Sequence, residues 1–194
     1  MSEKLKVILV DENQPRTAML ERALQDNGYN VVAHFGIDEN LSDRVRMIHA
    51  DVIIIDMQLP DRGILESMRV INREHPMPMV MFAEKSDTLT ITDAVKAGVS
   101  AYVVDGLNAH RLKPIVDVAI ARFQAFQGLK KELARTKSDL ADRKLIDKAK
   151  GIIMTQRKCQ EDEAYKALRK LAMDRNEKII DVAKNVIEVA RLFA

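Results

Sequence analysis

The sequence predicts an α/β chain: a doubly wound, parallel, five-stranded domain, a long coiled-coil helix, and a C-terminal module of three helices. Three observations predict it. Short β-branched runs alternate with amphipathic segments through the first 121 residues. A heptad of apolar side chains follows. The charge then reverses: residues 1–121 hold 13 basic and 18 acidic side chains, residues 122–194 hold 18 and 11, and the whole chain carries only +2.

Lys6–Val10 is a continuous apolar run ending at Asp11-Glu12, and residues 51–55 form another ending at Asp56. Runs this apolar suit strands buried on both faces of a parallel sheet. Met79–Phe82 and Ala101–Val104 give two more, and Asn30–Phe35 a weaker one. Helical patterns lie between them. Pro15–Gln25 carries Ala18, Met19, Ala23 and Leu24, with Gly28 as its stop. Gly63–Arg73 carries Ile64, Leu65, Met68 and Ile71. Ser86 or Asp87 caps a helix through Ala97, closed by Gly98.

In such a sheet, sites form at the carboxyl ends of strands. Asp11, Glu12 and Asp56 all stand there, each directly after an apolar strand. Three converging carboxylates repel unless a hard cation sits among them, and Mg²⁺ takes oxygen ligands. The alternative is that these acids are solvated loop residues. The single cysteine, Cys159, excludes an intrachain disulfide and a cysteine metal cluster. The four histidines, His34, His49, His75 and His110, are scattered, and no nucleophile–base pair points to an enzyme. No apolar run approaches the ~20 residues of a membrane span, and the N-terminal apolar stretch is too short for a signal peptide. The expectation is a soluble, cytoplasmic protein.

These residues carry a resemblance. Residues 1–121 resemble a response-regulator receiver domain in the pair Asp11-Glu12, in Asp56 with Pro60 four residues on, and in Lys96-Ala97-Gly98 ahead of the last strand. The resemblance implies that Asp56 is the phosphoacceptor and that Asp11, Glu12, Asp56 and the backbone carbonyl of Gln58 hold Mg²⁺. Two departures stand out. Ala83 occupies the position where receivers place a Ser or Thr hydroxyl, and Asp105 the position where they place a Lys. The acceptor loop, Asp56 to Gly63, is also one residue shorter than the usual pattern. A lost donor and an added negative charge weaken phosphoryl stabilisation. The expectation is an atypical receiver in which phosphorylation of Asp56 stays chemically open; the alternative is a domain that switches by binding a protein partner or only dimerises.

From His110 to Gly151 only Pro114 and Gly128 interrupt a helical pattern, and Pro114 is expected in its first turn. Leu112, Ile115, Val116, Ala119 and Ile120 suit packing on the sheet. Phe126, Leu129, Leu133, Thr136, Leu140 and Arg143 then recur at alternating spacings of three and four, a seam that predicts a parallel coiled-coil dimer. The open alternative is a solvated linker helix.

The last part reads as helices over Ala141–Arg157, Glu161–Asp174 and Ile179–Phe193, enough to close a small core. Met154 and Met173 are expected in that core. Cations crowd the polar faces, and Tyr165 lies one turn from Arg169. Cationic side chains bind phosphates, and an aromatic or Arg plane stacks on an unpaired base. The charged link from Asp174 to Lys178 lacks the Gly turn of a DNA-reading helix-turn-helix.

The wording of this segment is similar to the ANTAR domain, an RNA-binding antitermination module attached to bacterial receivers. Leu140, Arg143, Ile146, Ala149-Lys150-Gly151-Ile152-Ile153-Met154, Glu163-Ala164-Tyr165, Leu168-Arg169, Ala172-Met173, Ile180 and Val182-Ala183 carry the likeness. It implies a dimer that binds a two-hairpin leader RNA and prevents an intrinsic terminator from forming. Over its full length the chain is similar to antiterminators of nitrate and nitrite assimilation, which implies an inhibitory nitrate-sensor partner protein. The expected organisation is a receiver-like domain over 1–121, a coiled-coil linker over 122–139 and an ANTAR RNA-binding domain over 140–194. The expected RNA contacts are Arg143, Lys150, Tyr165, Arg169, Lys170, Arg175 and Lys178; the expected dimer seam is Phe126, Leu129, Leu133 and Leu140. On the residues alone two other classes stay open, a phosphorylation-activated regulator that binds DNA and a protein-only adaptor.

Overall fold

The computed structural model describes residues 4–11, 14–37, 40–104 and 109–192. Chain contacts divide it into Met1–Gln127 and Gly128–Ala194.

The first unit alternates β1 (Lys6–Asp11), α1 (Gln14–Asp26), β2 (Asn30–Phe35), α2 (Leu41–Arg46), β3 (Val52–Met57), α3 (Arg62–Glu74), β4 (Met79–Ala83), α4 (Thr88–Ala97), β5 (Ala101–Val104) and the start of α5 (Ala109–Arg157). The five strands lie in the order β2-β1-β3-β4-β5, all parallel. Successive strand side chains face opposite sides, so each apolar run feeds two cores. Ile8, Val10, Ile53 and Ile55 meet α2, α3 and α4 through Val45, Met68 and Ala94. Val7, Leu9, Val52 and Ile54 meet α1 and α5 through Leu20, Leu24, Leu112 and Val116. Helices on both faces make the sheet doubly wound, as the unbroken apolar strands require.

The helix ends follow local chemistry. Asp61 accepts the backbone N–H of Ile64 at 2.9 Å and starts α3. Of the two expected caps of α4, Asp87 is the one used, accepting from the N–H of Thr90 at 2.7 Å. That hydrogen bond holds the Asp87 carboxyl below its ordinary range. Gly98 ends α4 with φ +103, and a Cβ there would run into the Asn72 side chain of α3. Two elements differ from expectation. α2 was not foreseen: it has six residues, and its N-cap Asn40 makes no side-chain capping bond. Pro114 falls in the second turn of α5, not the first, because the helix already begins at Ala109.

The second unit contains the rest of α5, then α6 (Glu161–Arg175) and α7 (Ile179–Leu192). Ala149, Leu168, Ala172, Val182, Ala183 and Ile187 form its core. The α6–α7 link turns without glycine because Asn176 takes the left-handed conformation, φ 52. Met154 is half-buried, but Met173 is 71% exposed and is not a core residue. Its position on α6 falls on a flank that the packing of Leu168 and Ala172 leaves facing water. Among the described residues no helix is long and apolar enough to cross a membrane.

Candidate nucleic-acid interface and acidic rim

Asp11 and Asp56 pair in register at the carboxyl-terminal end of neighbouring strands, β1 against β3, where Asp11 is the last residue of β1 and Asp56 the last but one of β3. Each is only 3% exposed, so the backbone brings two carboxylates together at the buried carboxyl edge. Thr17, on the first turn of α1, donates its hydroxyl to Asp11 Oδ2 at 3.0 Å. The sequence reading missed Thr17; a hydroxyl six residues past a strand-end acid was the available signal. Gln58 directs its backbone carbonyl at the N–H of Lys85, 3.1 Å away, so one lone pair of the expected metal ligand is already engaged. Ala83 is fully buried beside Met57 in the β3–β4 register and presents a methyl where a hydroxyl was the receiver pattern. Glu12 and Asp105 lie outside the described residues. Among the described residues no three His, Cys, Asp or Glu side chains gather as a metal cluster.

Along α5 the predicted seam is bare in the single chain. Phe126 is 63% exposed, Leu129 65%, Leu133 56% and Leu140 55%. Thr136, the polar member of the seam, donates its hydroxyl to the Glu132 carbonyl at 3.0 Å, which satisfies it within the helix. Arg135 and Asp139 pair at 3.9 Å on the helix surface.

The cations of the second unit separate into two kinds. Lys150 Nζ lies 2.6 Å from both Asp147 Oδ1 and Glu161 Oε1, with its side chain 15% exposed. It thus ties α5 to the start of α6. Hydrogen bonds donated to Asp147 and then to Glu161 raise the Lys150 pKa, and the bond accepted from Lys150 lowers that of Asp147. Lys150, expected among the RNA contacts, thus has its charge paired within the chain. Arg143, Arg169, Lys170, Arg175 and Lys178 are all exposed and, among the described residues, form no ion pair.

The structure does not bring the predicted RNA contacts onto one patch. At 3.6 residues per turn, Tyr165 and Arg169 share one flank of α6 while Lys170 lies on the other. Lys170 and Arg175 line a cleft between α5, α6 and α7, and with them stands Arg157, a cation of the polar face outside the expected set of RNA contacts. Tyr165 is 43% exposed, its ring open to a stacking partner.

Comparison with known proteins bears on both units. The response regulator receiver domain model matches residues 7–117, and the ANTAR domain model matches residues 134–187. The chain is 28% identical over 182 residues to the transcriptional regulatory protein PdtaR of Mycobacterium tuberculosis, covering 93% of this chain and 89% of that protein. It is 39% identical over 83 residues to a nitrate regulatory protein of Klebsiella oxytoca, covering 43% of this chain and 20% of that one. The receiver domain of a modulated diguanylate cyclase from Desulfovibrio desulfuricans superposes with a TM-score of 0.55 at 19% identity, over 63% of this chain and 98% of that domain. A pilus assembly-related protein from Burkholderia pseudomallei gives 0.56 at 23% identity, over 63% of this chain and 95% of that protein. These two share the fold.

Proposed function

We propose, for a chain that belongs to the response-regulator receiver family and carries an ANTAR domain, that it is an RNA-binding transcription antiterminator working as a homodimer. The family is regulatory, not enzymatic. The observation that carries the reading is the set of exposed cations on the ANTAR module, Arg169, Lys170, Arg175 and Lys178, that form no ion pair among the described residues, with Arg143 exposed beside Asp147. Cations left unpaired on a folded surface are free to displace counterions from phosphates. Tyr165 and Arg169 offer a stacking platform for unpaired bases. Lys150 acts through the fold, holding α6 at a fixed angle to α5.

The dimer forms through Phe126, Leu129, Leu133 and Leu140 and presents two modules, one for each hairpin of a leader RNA. Captured hairpins keep the terminator strand from pairing, and polymerase reads on. The partial likeness to the nitrate regulatory protein of Klebsiella supports genes of nitrate and nitrite assimilation as the target, and a nitrate-sensing partner protein is the inhibitor in this reading.

The receiver unit then acts more as a docking body than as a phospho-switch. Asp11 and Asp56, buried carboxylates in register on neighbouring strands, offer the hard oxygen ligands that suit a divalent cation. With Glu12 and the Gln58 carbonyl they would hold Mg²⁺, which supplies charge neutralisation for a phosphoryl group on Asp56. Ala83 offers that group no hydroxyl.

Gel-shift titration of the full chain with a two-hairpin RNA and with duplex DNA tests the reading. RNA binding that weakens steeply with salt is expected, with a shallower salt dependence for Arg169→Ala plus Lys170→Ala. Equal affinity for duplex DNA, or unchanged RNA affinity in the double variant, refutes it.

A further inference from the structure

The cleft between the last turn of α5, α6 and α7 has a volume of about 500 Å³. That lies within the range of small-molecule sites, roughly 300–1,000 Å³. Its floor is apolar, made by Leu168, Leu171 and Val186. Its mouth carries Arg157, Lys170 and Arg175 against a single acid, Asp174. Although Asp174 stands one turn from Lys170, no ion pair joins them, and Arg157 and Arg175 likewise pair with no carboxylate among the described residues. Gln156 and Asn185 bring two amides to the walls.

We propose that this cleft takes one unpaired base of the bound RNA, with the flanking phosphates held by Arg157, Lys170 and Arg175. The proposal rests on the RNA reading above and adds to it a site distinct from the Tyr165–Arg169 flank. A flat, weakly hydrated base gains from the apolar floor, whereas a phosphate alone does not need one. Amides carry both donors and acceptors, and a carboxylate accepts, so Gln156, Asn185 and Asp174 match the edge of a base. Three cations against one acid disfavour a basic peptide and add nothing for an uncharged apolar helix; they complement a polyanion. The unpaired base of a hairpin loop is the polyanion's group that has already left the stack, so seating it costs little unstacking.

The test uses the full chain and a pool of two-hairpin RNAs with randomised loops, enriched on the wild-type protein. Each loop nucleotide of the enriched RNA is then made abasic, and affinity is read by fluorescence anisotropy. At one loop position the abasic change is expected to weaken wild-type binding about tenfold or more, the scale of losing one seated base. In Ala190→Phe, which fills the cleft, the same change costs less than about twofold. Asn185→Ala, an exposed and charge-neutral substitution, provides the same reading in a variant whose fold circular dichroism verifies. Abasic losses that are equal in wild type and both variants overturn the proposal while leaving the RNA reading intact. A pool that never enriches on the wild type overturns both. Unchanged RNA affinity in Ala190→Phe, with an altered mass in solution, assigns the cleft to a second copy of the chain and overturns the base.

Discussion

The coiled-coil seam yields a sharp prediction. Leu133 is 56% exposed in the single chain. Full burial of a leucine side chain is worth roughly 1.5–3 kcal/mol, so covering its remaining half stabilises a dimer by about 1–1.5 kcal/mol per chain. A symmetric dimer contains the residue twice, so Leu133→Ala is expected to cost about 2–3 kcal/mol of association, or roughly 30- to 150-fold in the dimer dissociation constant. Sedimentation equilibrium across a concentration series measures that constant directly. Leu140→Ala, at 55% exposure, is expected to behave alike, while Arg135→Ala, on the helix surface, should change it little. A dissociation constant unmoved by Leu133→Ala, with helicity retained, refutes the seam and leaves α5 a solvated helix.

Three further perturbations follow from the same structure. Gly98→Ala is expected to destabilise the receiver unit by at least about 1–2 kcal/mol, the cost of a left-handed alanine; Asn72→Ala should relieve the clash but not the backbone term, and an unchanged urea midpoint contradicts this. Ala83→Thr is expected to lengthen the lifetime of phosphorylated Asp56 after acetyl phosphate and Mg²⁺, by roughly tenfold or more for one hydrogen bond to a charged group; equal lifetimes show that the missing hydroxyl does not limit the switch. Lys150→Met removes the clamp between α5 and α6. Asp147, with its pKa depressed, stabilises above its unfolded value near 4 and loses that contribution as pH falls through its folded value; Lys150, with its pKa raised, stabilises below its unfolded value near 10.4 and loses it as pH rises through its folded value. The stability difference between wild type and Lys150→Met should therefore be flat from about pH 5 to 10 and shrink at both ends. A difference constant across pH sinks the clamp.

The sheet was legible because Val7–Val10 and Ile53–Ile55 are apolar on both faces, a pattern only a strand between two helix layers satisfies. The rim was legible for a related reason: Asp11 and Asp56 are abrupt polar ends to those runs. α2 was hidden, since six residues without a side-chain cap carry too little periodicity to show. Lys150 illustrates a deeper limit. In sequence it is one more cation on a cationic face, and although Asp147 stands three residues before it, Glu161 reaches it only because the chain turns back after Arg157. The cleft was illegible for the same reason, because its walls come from three helices and no one helix shows as much as half of it. Met173 misled because helical spacing alone does not say which flank a third helix will cover.

The central claim, that the chain prevents termination by holding RNA, is tested most directly by single-round transcription in vitro from a template whose two-hairpin leader runs into an intrinsic terminator. Added wild-type protein is expected to raise read-through in proportion to RNA occupancy, and Arg169→Ala plus Lys170→Ala to abolish the rise at the same concentration. Termination that stays unchanged while the leader is saturated with protein contradicts the account.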